Sequence, residues 1–316
     1  MKTKFAIGCL VQWYECDIVD SYIETLKEAV EQYDGDVIVD INIVIDETLE
    51  KCVSQEQHDK CIQKISSIIG TPVPKNWNVN VIGYLQTIAD YRREFNDSYC
   101  DNVDVLIWGE SDMLVPKQMF LVLDMLHQNV NTPKYIATFG ICKMWDDSWK
   151  ILEHPAFTVK QHSDNPNDWW SVNYSMNKDE MNSFNDVLEP LEVKQITPHK
   201  FNGCGLVISS EVIRSGVNIP KSVFFVHEDT AFMLMIRKVL GDIPQYHIGN
   251  ILVVHNRKHK DKRNYILGET GQSIGQKRDS NNWYRIANEL SKQNCYNNFN
   301  TEFKPYTWND VWQNIK

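Results

Sequence analysis

The sequence predicts an α/β fold in which a mostly parallel sheet is flanked by helices. Two observations predict this class. Strand-like and helix-like segments alternate over the first 140 residues, as they do when parallel strands are joined by crossover helices. The first strand, FAIGCLV (5–11), is also a continuous apolar run, which is typical of a strand covered on both faces. At 316 residues, the chain is long enough to bury one sizeable core.

The elements that follow the first strand have a regular order. A helix is predicted over 21–33, where apolar side chains recur at helical spacing. A strand is predicted over 37–45, where apolar residues alternate strictly. Helices are then predicted over 55–69 and within 83–97, separated by a Pro-rich break.

The next strand, VDVLIW (103–108), ends in acidic residues. Pro116 stands at a plausible first position of a following helix, and YIATFG (135–140) extends the sheet. The pattern weakens over 141–200, where Trp, Asn, Asp and Pro dominate, and a long irregular insertion of this kind is usually functional or mobile.

Regular order returns after residue 200, at 202–213, 227–241 and 248–263. The sequence has neither an internal repeat nor a clear linker. We therefore predict one domain over 1–263 that includes the irregular insertion, and a C-terminal extension over 264–316.

Composition excludes several classes of protein. The formal net charge of −10 argues against a protein that coats nucleic acid or membrane nonspecifically, although it allows a local basic patch. The eight cysteines show neither C-x-x-C pairs nor zinc-knuckle spacing, which indicates a reducing compartment. No stretch is long and apolar enough to cross a bilayer, and the N-terminus lacks a signal-peptide cleavage site. A soluble, cytoplasmic protein is expected.

Two acids follow the strand at 103–108. Glu110 and Asp112 lie two positions apart after the break at Gly109, so their side chains can lean to the same side. Mg²⁺ and Mn²⁺ take carboxylate ligands, and open α/β sheets bind ligands beyond the carboxyl ends of their strands. The pair therefore predicts either a metal site or a polar turn in which Asp112 helps to begin the next helix.

Two further motifs lie downstream. Asn202-Gly203-Cys204-Gly205 precedes a strand and predicts a sharp turn or a close approach of the backbone to another group. Glu228 and Asp229 open an amphipathic helix. Acids at this position either interact with the helix dipole or act as a general base that takes a proton from an attacking hydroxyl.

The last motif is ILVVHNRKHKDKR, in which a strand runs into His255. Arg257 and Lys258 begin the basic run that follows. The histidine is a candidate ligand for a metal, and the basic residues are candidates for contact with a diphosphate. The alternatives are a structural histidine and a solvated basic loop, or a contact with nucleic-acid phosphates.

The order of these motifs resembles that of the GT-A glycosyltransferases, particularly the family 2-like ones. Strand-end acids are followed by a Gly-containing strand, an acidic pair that opens a helix, and a strand-end histidine. The resemblance covers residues 4–260. It departs from the family in three ways: Glu replaces the first Asp of the so-called DxD motif, the second strand lacks the usual acid-Ser-Asp ending, and the QxxRW-type segment of processive enzymes is absent.

The resemblance implies roles for the acids and the histidine. Glu110-Ser111-Asp112 would be the DxD-type motif that holds Mn²⁺ or Mg²⁺ on the diphosphate of a nucleotide-sugar, with a UDP-sugar favoured. His255 would complete the metal site. Asp229, with Glu228 beside it, would be the catalytic base of an inverting enzyme.

The resemblance also implies a binding site for the donor. Arg93 (or Arg92), on the helix that leads to the acidic motif, would point toward the nucleotide, and Arg257 and Lys258 would contact the diphosphate. The ends of the first two strands would cradle the nucleoside, through Val11 to Trp13 and the segment from Asp40 to Asp46. Trp169 and Trp170, in the insertion on the acceptor side, either stack on an acceptor or pack within the insertion.

The acceptor is left open by the sequence. It is a soluble, lipid-linked or cell-surface glycan precursor, a protein, or hydroxymethylated pyrimidine in bacteriophage DNA. In the last case the enzyme would act in the host cytoplasm. The other functions that we considered are a nucleotidyltransferase, which normally carries a Gly-rich basic loop that VQWYECD lacks, and a non-catalytic binding module.

Overall fold

The computed structural model describes most of the chain. It covers residues 1–12, 15, 19–45, 59, 63–64, 66–67, 76–139, 144–145, 151–152, 177–186, 190–196, 200–201, 203–255 and 282–315. The strands in these ranges are β1 (Phe5–Gln12), β2 (Val37–Val44), β3 (Trp77–Ile82), β4 (Val105–Trp108), β5 (Met113–Leu114), β6 (Ile136–Phe139), β7 (Met144–Trp145), β8 (Ile151–Leu152), β9 (Val193–Ile196), β10 (Lys200–Phe201), β11 (Leu206–Ser209), β12 (Gln245–Ile248) and β13 (Val254–His255).

The described helices surround these strands. They are α1 (Val19–Glu31), α2 (Ile88–Tyr99), α3 (Met119–Asn129), α4 (Lys178–Asn185), α5 (Ser210–Arg214), α6 (Glu228–Leu240), α7 (Asn282–Asn297) and α8 (Trp308–Asn314). Among the helices of the described ranges, none has the length and apolar character needed to span a membrane.

Eight strands form one large sheet in the order β3-β2-β1-β4-β11-β6-β12-β9. β11 is antiparallel to both of its neighbours, and β9 is antiparallel to β12 at the edge. The remaining six strands run in one direction. The prediction of an α/β fold with a mostly parallel sheet flanked by helices is confirmed.

The sheet is covered on both faces because its central strands are apolar throughout. On one face, alternate side chains of β1 such as Phe5 and Ile7 pack in a cluster with Tyr22 of α1 and Phe120 of α3. On the other face, Ala6 and Leu10 belong to a second cluster with residues of α2 and α6. The continuous apolar run of β1 therefore reflects a central strand.

Three predicted features differ in detail. The helix predicted from Pro116 begins at Met119, because the Met119 N–H bonds to the Pro116 carbonyl in a separate turn before the regular helix. Residues 141–200, predicted to be irregular, include α4 and the sheet strand β9. The described part of the predicted C-terminal extension forms α7 and α8, which pack on one another and, through Trp308, on Phe224.

Candidate active site

The site is built at the carboxyl end of β4, where the chain makes a tight turn. The Gly109 N–H donates to the carbonyl of Gly8 on β1 at 2.7 Å. A Cβ at Gly109 would lie 2.5 Å from the Tyr22 hydroxyl and 3.0 Å from that carbonyl oxygen, so a larger residue does not fit without displacing a neighbour. The turn closes with a hydrogen bond from the Met113 N–H to the Glu110 carbonyl at 3.0 Å.

This turn brings two predicted metal ligands to the third. His255 Nε2 lies 2.9 Å from Glu110 Oε2 and 3.4 Å from Asp112 Oδ1. The Asp112 side chain is 1% exposed and the Glu110 side chain 25% exposed, so the pair spans from the core to the surface. Ser111 between them is buried.

His255 reaches the acids because β13 pairs with β5. The two short strands are antiparallel, and His255 lies opposite Met113, the residue that follows Asp112. The segment 251–254 before it is buried and apolar, which fixes the strand that carries the histidine. The contact of His255 with Glu110 and Asp112 therefore depends on the pairing of two strands that are each two residues long.

The three side chains suit a divalent cation by their chemistry. They offer two carboxylates and one imidazole, which together are ligands for Mn²⁺ and related ions. Glu110 Oε2 and Asp112 Oδ1 both lie near the same imidazole nitrogen of His255. The donor set fits the metal that the sequence predicts.

A buried arginine connects the acidic turn to the start of α6. Arg92 Nη2 donates to Glu110 Oε1 at 2.8 Å, and Nη1 donates to Glu228 Oε1 at 2.6 Å. The guanidinium also lies over the Trp108 ring, 4.7 Å from its centroid. Because the Arg92 side chain is only 2% exposed, its charge depends on these carboxylates for compensation.

The two carboxylates bound to Arg92 have opposite pKa shifts. Burial acts to raise the pKa of Glu110, but the charges of His255 and Arg92 outweigh it and lower the pKa to about 2. Burial raises the pKa of Glu228 to about 7, the nearby Asp229 adds to the effect, and Arg92 opposes it. The site thus holds one firmly ionised carboxylate and one that changes its charge near neutral pH.

Asp229 lies in the first turn of α6, half-buried, and accepts a hydrogen bond from the Thr230 N–H at 2.6 Å. The turn before it is strained. His227 has φ 68° and ψ 21°, and it is the only residue other than glycine with positive φ in the described ranges. Such a conformation costs of order 1–2 kcal/mol and is tolerated where the surroundings enforce it.

The segment that leads into His227 is held by contacts with α7. Ser291 Oγ donates to the Val226 carbonyl at 2.8 Å, and Asn294 Nδ2 donates to the Ser222 carbonyl at 2.7 Å. Between them, Phe225 packs edge-on against aromatic rings of α7 and α8, namely Trp283, Tyr284 and Trp308. The C-terminal extension therefore holds the backbone that leads into Asp229.

Of the residues predicted to bind the donor, some are buried in the sheet and others lie outside the described part of the chain. Val11 is fully buried near the end of β1. Asp40 lies in the middle of β2 and accepts hydrogen bonds from the hydroxyls of Tyr91 and Tyr99, so α2 covers it. Trp13, Arg257, Lys258, Trp169 and Trp170 lie outside the described residues.

Of the two arginines, Arg92 and not Arg93 enters the site. Arg93 donates to the carbonyls of Ile219, Pro220 and Val223, and it forms an ion pair with Asp90. It thereby ties α2 to the loop before α6. In the sequence prediction, Arg93 is the first choice for this role and Arg92 is its alternative.

Two residues of the site have no assigned role in the sequence prediction. Gly203 lies against Arg92, and Cys204 is fully buried with its sulfur near Glu110 and His255. The motif Asn202-Gly203-Cys204-Gly205 indicates a close approach of the backbone, but it does not indicate which group is approached.

Comparisons with known proteins give remote structural matches alone. No family model and no curated protein sequence matches the chain. Among solved structures, S. aureus TarS residues 1–349 is 11% identical, covers 98% of this chain and 78% of its own, and has a TM-score of 0.44. The same protein in complex with UDP-GlcNAc is 10% identical, covers 95% and 76%, and has a TM-score of 0.43. GalNAc-T7 with UDP, GalNAc and Mn²⁺ is 11% identical, covers 99% and 56%, and has a TM-score of 0.46.

Proposed function

We propose that this chain is a metal-dependent, inverting glycosyltransferase of the GT-A type that moves a sugar from a nucleotide-sugar to an acceptor hydroxyl. The observation that carries the proposal is the convergence of Glu110, Asp112 and His255 at the carboxyl edge of the sheet. Through Arg92, this group is connected to the helix that begins with Glu228 and Asp229. The candidate metal ligands are thus connected to the helix turn that carries the candidate base Asp229.

In this proposal Asp112, Glu110 and His255 hold Mn²⁺ or Mg²⁺. When bound, the ion offsets the negative charge that develops on the departing diphosphate. The bond between the sugar C1 and the diphosphate oxygen breaks, and a bond from the acceptor oxygen to C1 forms on the opposite face. A nucleoside diphosphate leaves, and a UDP-sugar is our preferred donor.

The proton of the acceptor hydroxyl goes to the carboxylate of Asp229. This side chain suits the role because it is half-buried at the N-terminus of α6, where its own helix supplies a hydrogen bond. Glu228, whose Oε1 already accepts a hydrogen bond from Arg92, orients the first turn of α6. We therefore assign proton transfer to Asp229 and positioning to Glu228.

The proposal is tested by release of free nucleotide from UDP-, GDP- and CMP-sugars in the presence of Mn²⁺. The variants are Asp112→Ala and Asp229→Ala, with the exposed Glu31→Gln of α1 as a control. We expect turnover of one donor by the wild type and by the control, and losses of about 10²-fold or more in the two site variants. Full activity in both site variants, or binding of no donor, would show that the proposal is wrong.

For the acceptor, we propose hydroxymethylated pyrimidine in bacteriophage DNA as the first candidate. Its support is the basic run that begins at Arg257, which suits contact with phosphates. The test is the mass of hydroxymethylated and unmodified DNA after incubation with the enzyme and its donor. A gain of one sugar on hydroxymethylated DNA alone supports this acceptor, and transfer to a glycan precursor instead contradicts it.

A further inference from the structure

A cysteine lies within the group of candidate metal ligands. Ligand atoms of Glu110, Cys204 and His255 are all within 4.8 Å of one another. Outside this group, Asp112 Oδ1 lies 3.4 Å from the His255 Nε2. The Cys204 sulfur thus lies beside the Glu110 carboxylate and the His255 imidazole.

The backbone fixes the position of this sulfur from both sides. After Cys204, Gly205 has φ 71° and donates its N–H to the Trp108 carbonyl at 2.8 Å, which brings the chain into β11 beside β4. Before it, Gly203 lies against the Arg92 guanidinium. Cys204 is therefore held next to the turn that carries Glu110.

A buried hydroxyl lies on the inner side of the same turn. The Tyr22 hydroxyl is fully buried and has no hydrogen-bond partner within the described part of the chain. It lies 2.5 Å from the position that a Cβ at Gly109 would take. A polar group without a partner in the described part of the chain thus lies beside the turn that carries Glu110.

The sulfur changes which ions the site should prefer. Oxygen ligands suit Mg²⁺ and Mn²⁺, whereas thiolates select softer ions such as Zn²⁺. Two atoms bonded to one zinc ion, at about 2.1 and 2.3 Å, are at most about 4.4 Å apart. The ligand atoms of Glu110, Cys204 and His255 all lie within 4.8 Å of one another, a bound close to this limit, so small adjustments suffice for a shared ion.

We propose that the Cys204 sulfur is a ligand of the metal site, which therefore discriminates against Mg²⁺ and favours ions that accept sulfur. The inference rests on the proposed function, because it concerns the same site formed by Glu110, Asp112 and His255. It adds a fourth ligand and predicts the choice of ion. The alternative is that Cys204 is only a small apolar residue of the core.

Binding of Co²⁺ alone to the full-length protein, kept reduced by a phosphine, distinguishes these alternatives. Wild type should show the visible bands of bound Co²⁺ and a near-ultraviolet charge-transfer band from sulfur to cobalt. Cys204→Ser should keep the visible bands, lose the charge-transfer band, and bind Co²⁺ and Zn²⁺ roughly 10-fold or more weakly. Its affinity for Mg²⁺ should change by less than about twofold, because Mg²⁺ does not depend on sulfur.

The controls separate a ligand from a nearby or distant thiol. Cys9 is buried near the site and donates its thiol to the Leu10 carbonyl, and Cys100 is buried at the end of α2. Cys9→Ser and Cys100→Ser should both retain the charge-transfer band. If instead Cys9→Ser loses the band and Cys204→Ser keeps it, the inference is wrong.

A second measurement needs no variant. X-ray absorption of the wild-type protein loaded with Zn²⁺ should contain a sulfur neighbour at about 2.3 Å. It keeps the inference testable if Cys204→Ser does not fold. Metal bound by nitrogen and oxygen alone overturns the inference but leaves the proposed metal site intact. Failure of the wild type to bind Co²⁺ or Zn²⁺ at all contradicts both.

Discussion

Gly203 lies so close to the guanidinium of Arg92 that a Cβ at this position would be 1.9 Å from Nη1. The glycine therefore makes room for the buried cation that bridges Glu110 and Glu228. The Gly203-Cys204-Gly205 segment, which resembles a simple turn in sequence, therefore packs against the ion pairs that Arg92 forms with Glu110 and Glu228. A larger residue at position 203 should therefore disturb the hydrogen bonds of Arg92 to both Glu110 and Glu228.

Gly203→Ala should destabilise the protein by about 1–3 kcal/mol, because a methyl group forces Arg92 out of a packed position. The measurement is the free energy of unfolding in urea, with nucleotide release measured alongside. Gly83→Ala is the matched control, since a Cβ at Gly83 meets nothing within 4 Å. Equal stability of the two variants would contradict the close contact.

Arg92→Met should cost about 3–5 kcal/mol of unfolding free energy, because it leaves Glu110 and Glu228 without their buried cation. Adding Glu228→Gln to this variant should restore part of the stability, since a neutral amide replaces a buried acid that has lost its partner, without restoring transfer. Urea unfolding of wild type, both single variants and the double variant measures the coupling free energy. Additive effects would mean that the Arg92–Glu228 pair is not coupled.

Much of the sheet is readable from sequence because the patterns are local. Alternation over 37–45 predicts β2, and the apolar run of β1 predicts a central strand. The metal candidates Glu110 and Asp112 are also visible because they follow a strand. Their contact with His255 follows only from the resemblance, since the pairing of β5 with β13 depends on tertiary packing.

The choice between Arg92 and Arg93 was harder for a specific reason. Adjacent helical residues point in different directions, and the buried face of α2 contains Ala89, Arg92 and Phe95, at helical spacing. The helical spacing therefore places Arg92 on the buried face of α2. A buried arginine is expected, however, only once its acidic partners are known. The placement of Cys204 could not be derived from sequence because it depends on the antiparallel pairing of β11 with β4.

Asp124 should contribute acid-sensitive stability far from the site. It accepts hydrogen bonds from the Thr3 N–H and hydroxyl and from Gln128. Burial acts to raise the pKa of Asp124, but these hydrogen bonds and the charge of Lys2 outweigh it and lower the pKa. A carboxyl whose folded-state pKa is depressed stabilises the protein above its unfolded pKa, near 4, and loses this contribution as pH falls.

Asp124→Asn should therefore lower the unfolding free energy by roughly 2 kcal/mol at pH 7. The difference from wild type should shrink as pH falls below about 4, because the wild-type carboxyl is then protonated as well. Urea unfolding between pH 3 and pH 7 measures this, with the exposed Asp242→Asn as control. A difference that is constant over this range would rule out ionisation of Asp124 as its source.

Ser291→Ala should reduce transfer more than it reduces donor binding. The Ser291 hydroxyl donates to the Val226 carbonyl, just before the strained His227 and the proposed base Asp229. Loss of this hydrogen bond costs about 1 kcal/mol and lets the turn relax, whereas the metal candidates lie on β13 and the acidic turn. We expect kcat to fall about 10-fold with the KM for donor within about twofold, since a misplaced base affects proton transfer alone. Gln293→Ala is the control, because its amide contacts Glu289 on the same helix. An equal loss in kcat and in donor affinity would mean that α7 supports donor binding rather than the position of Asp229.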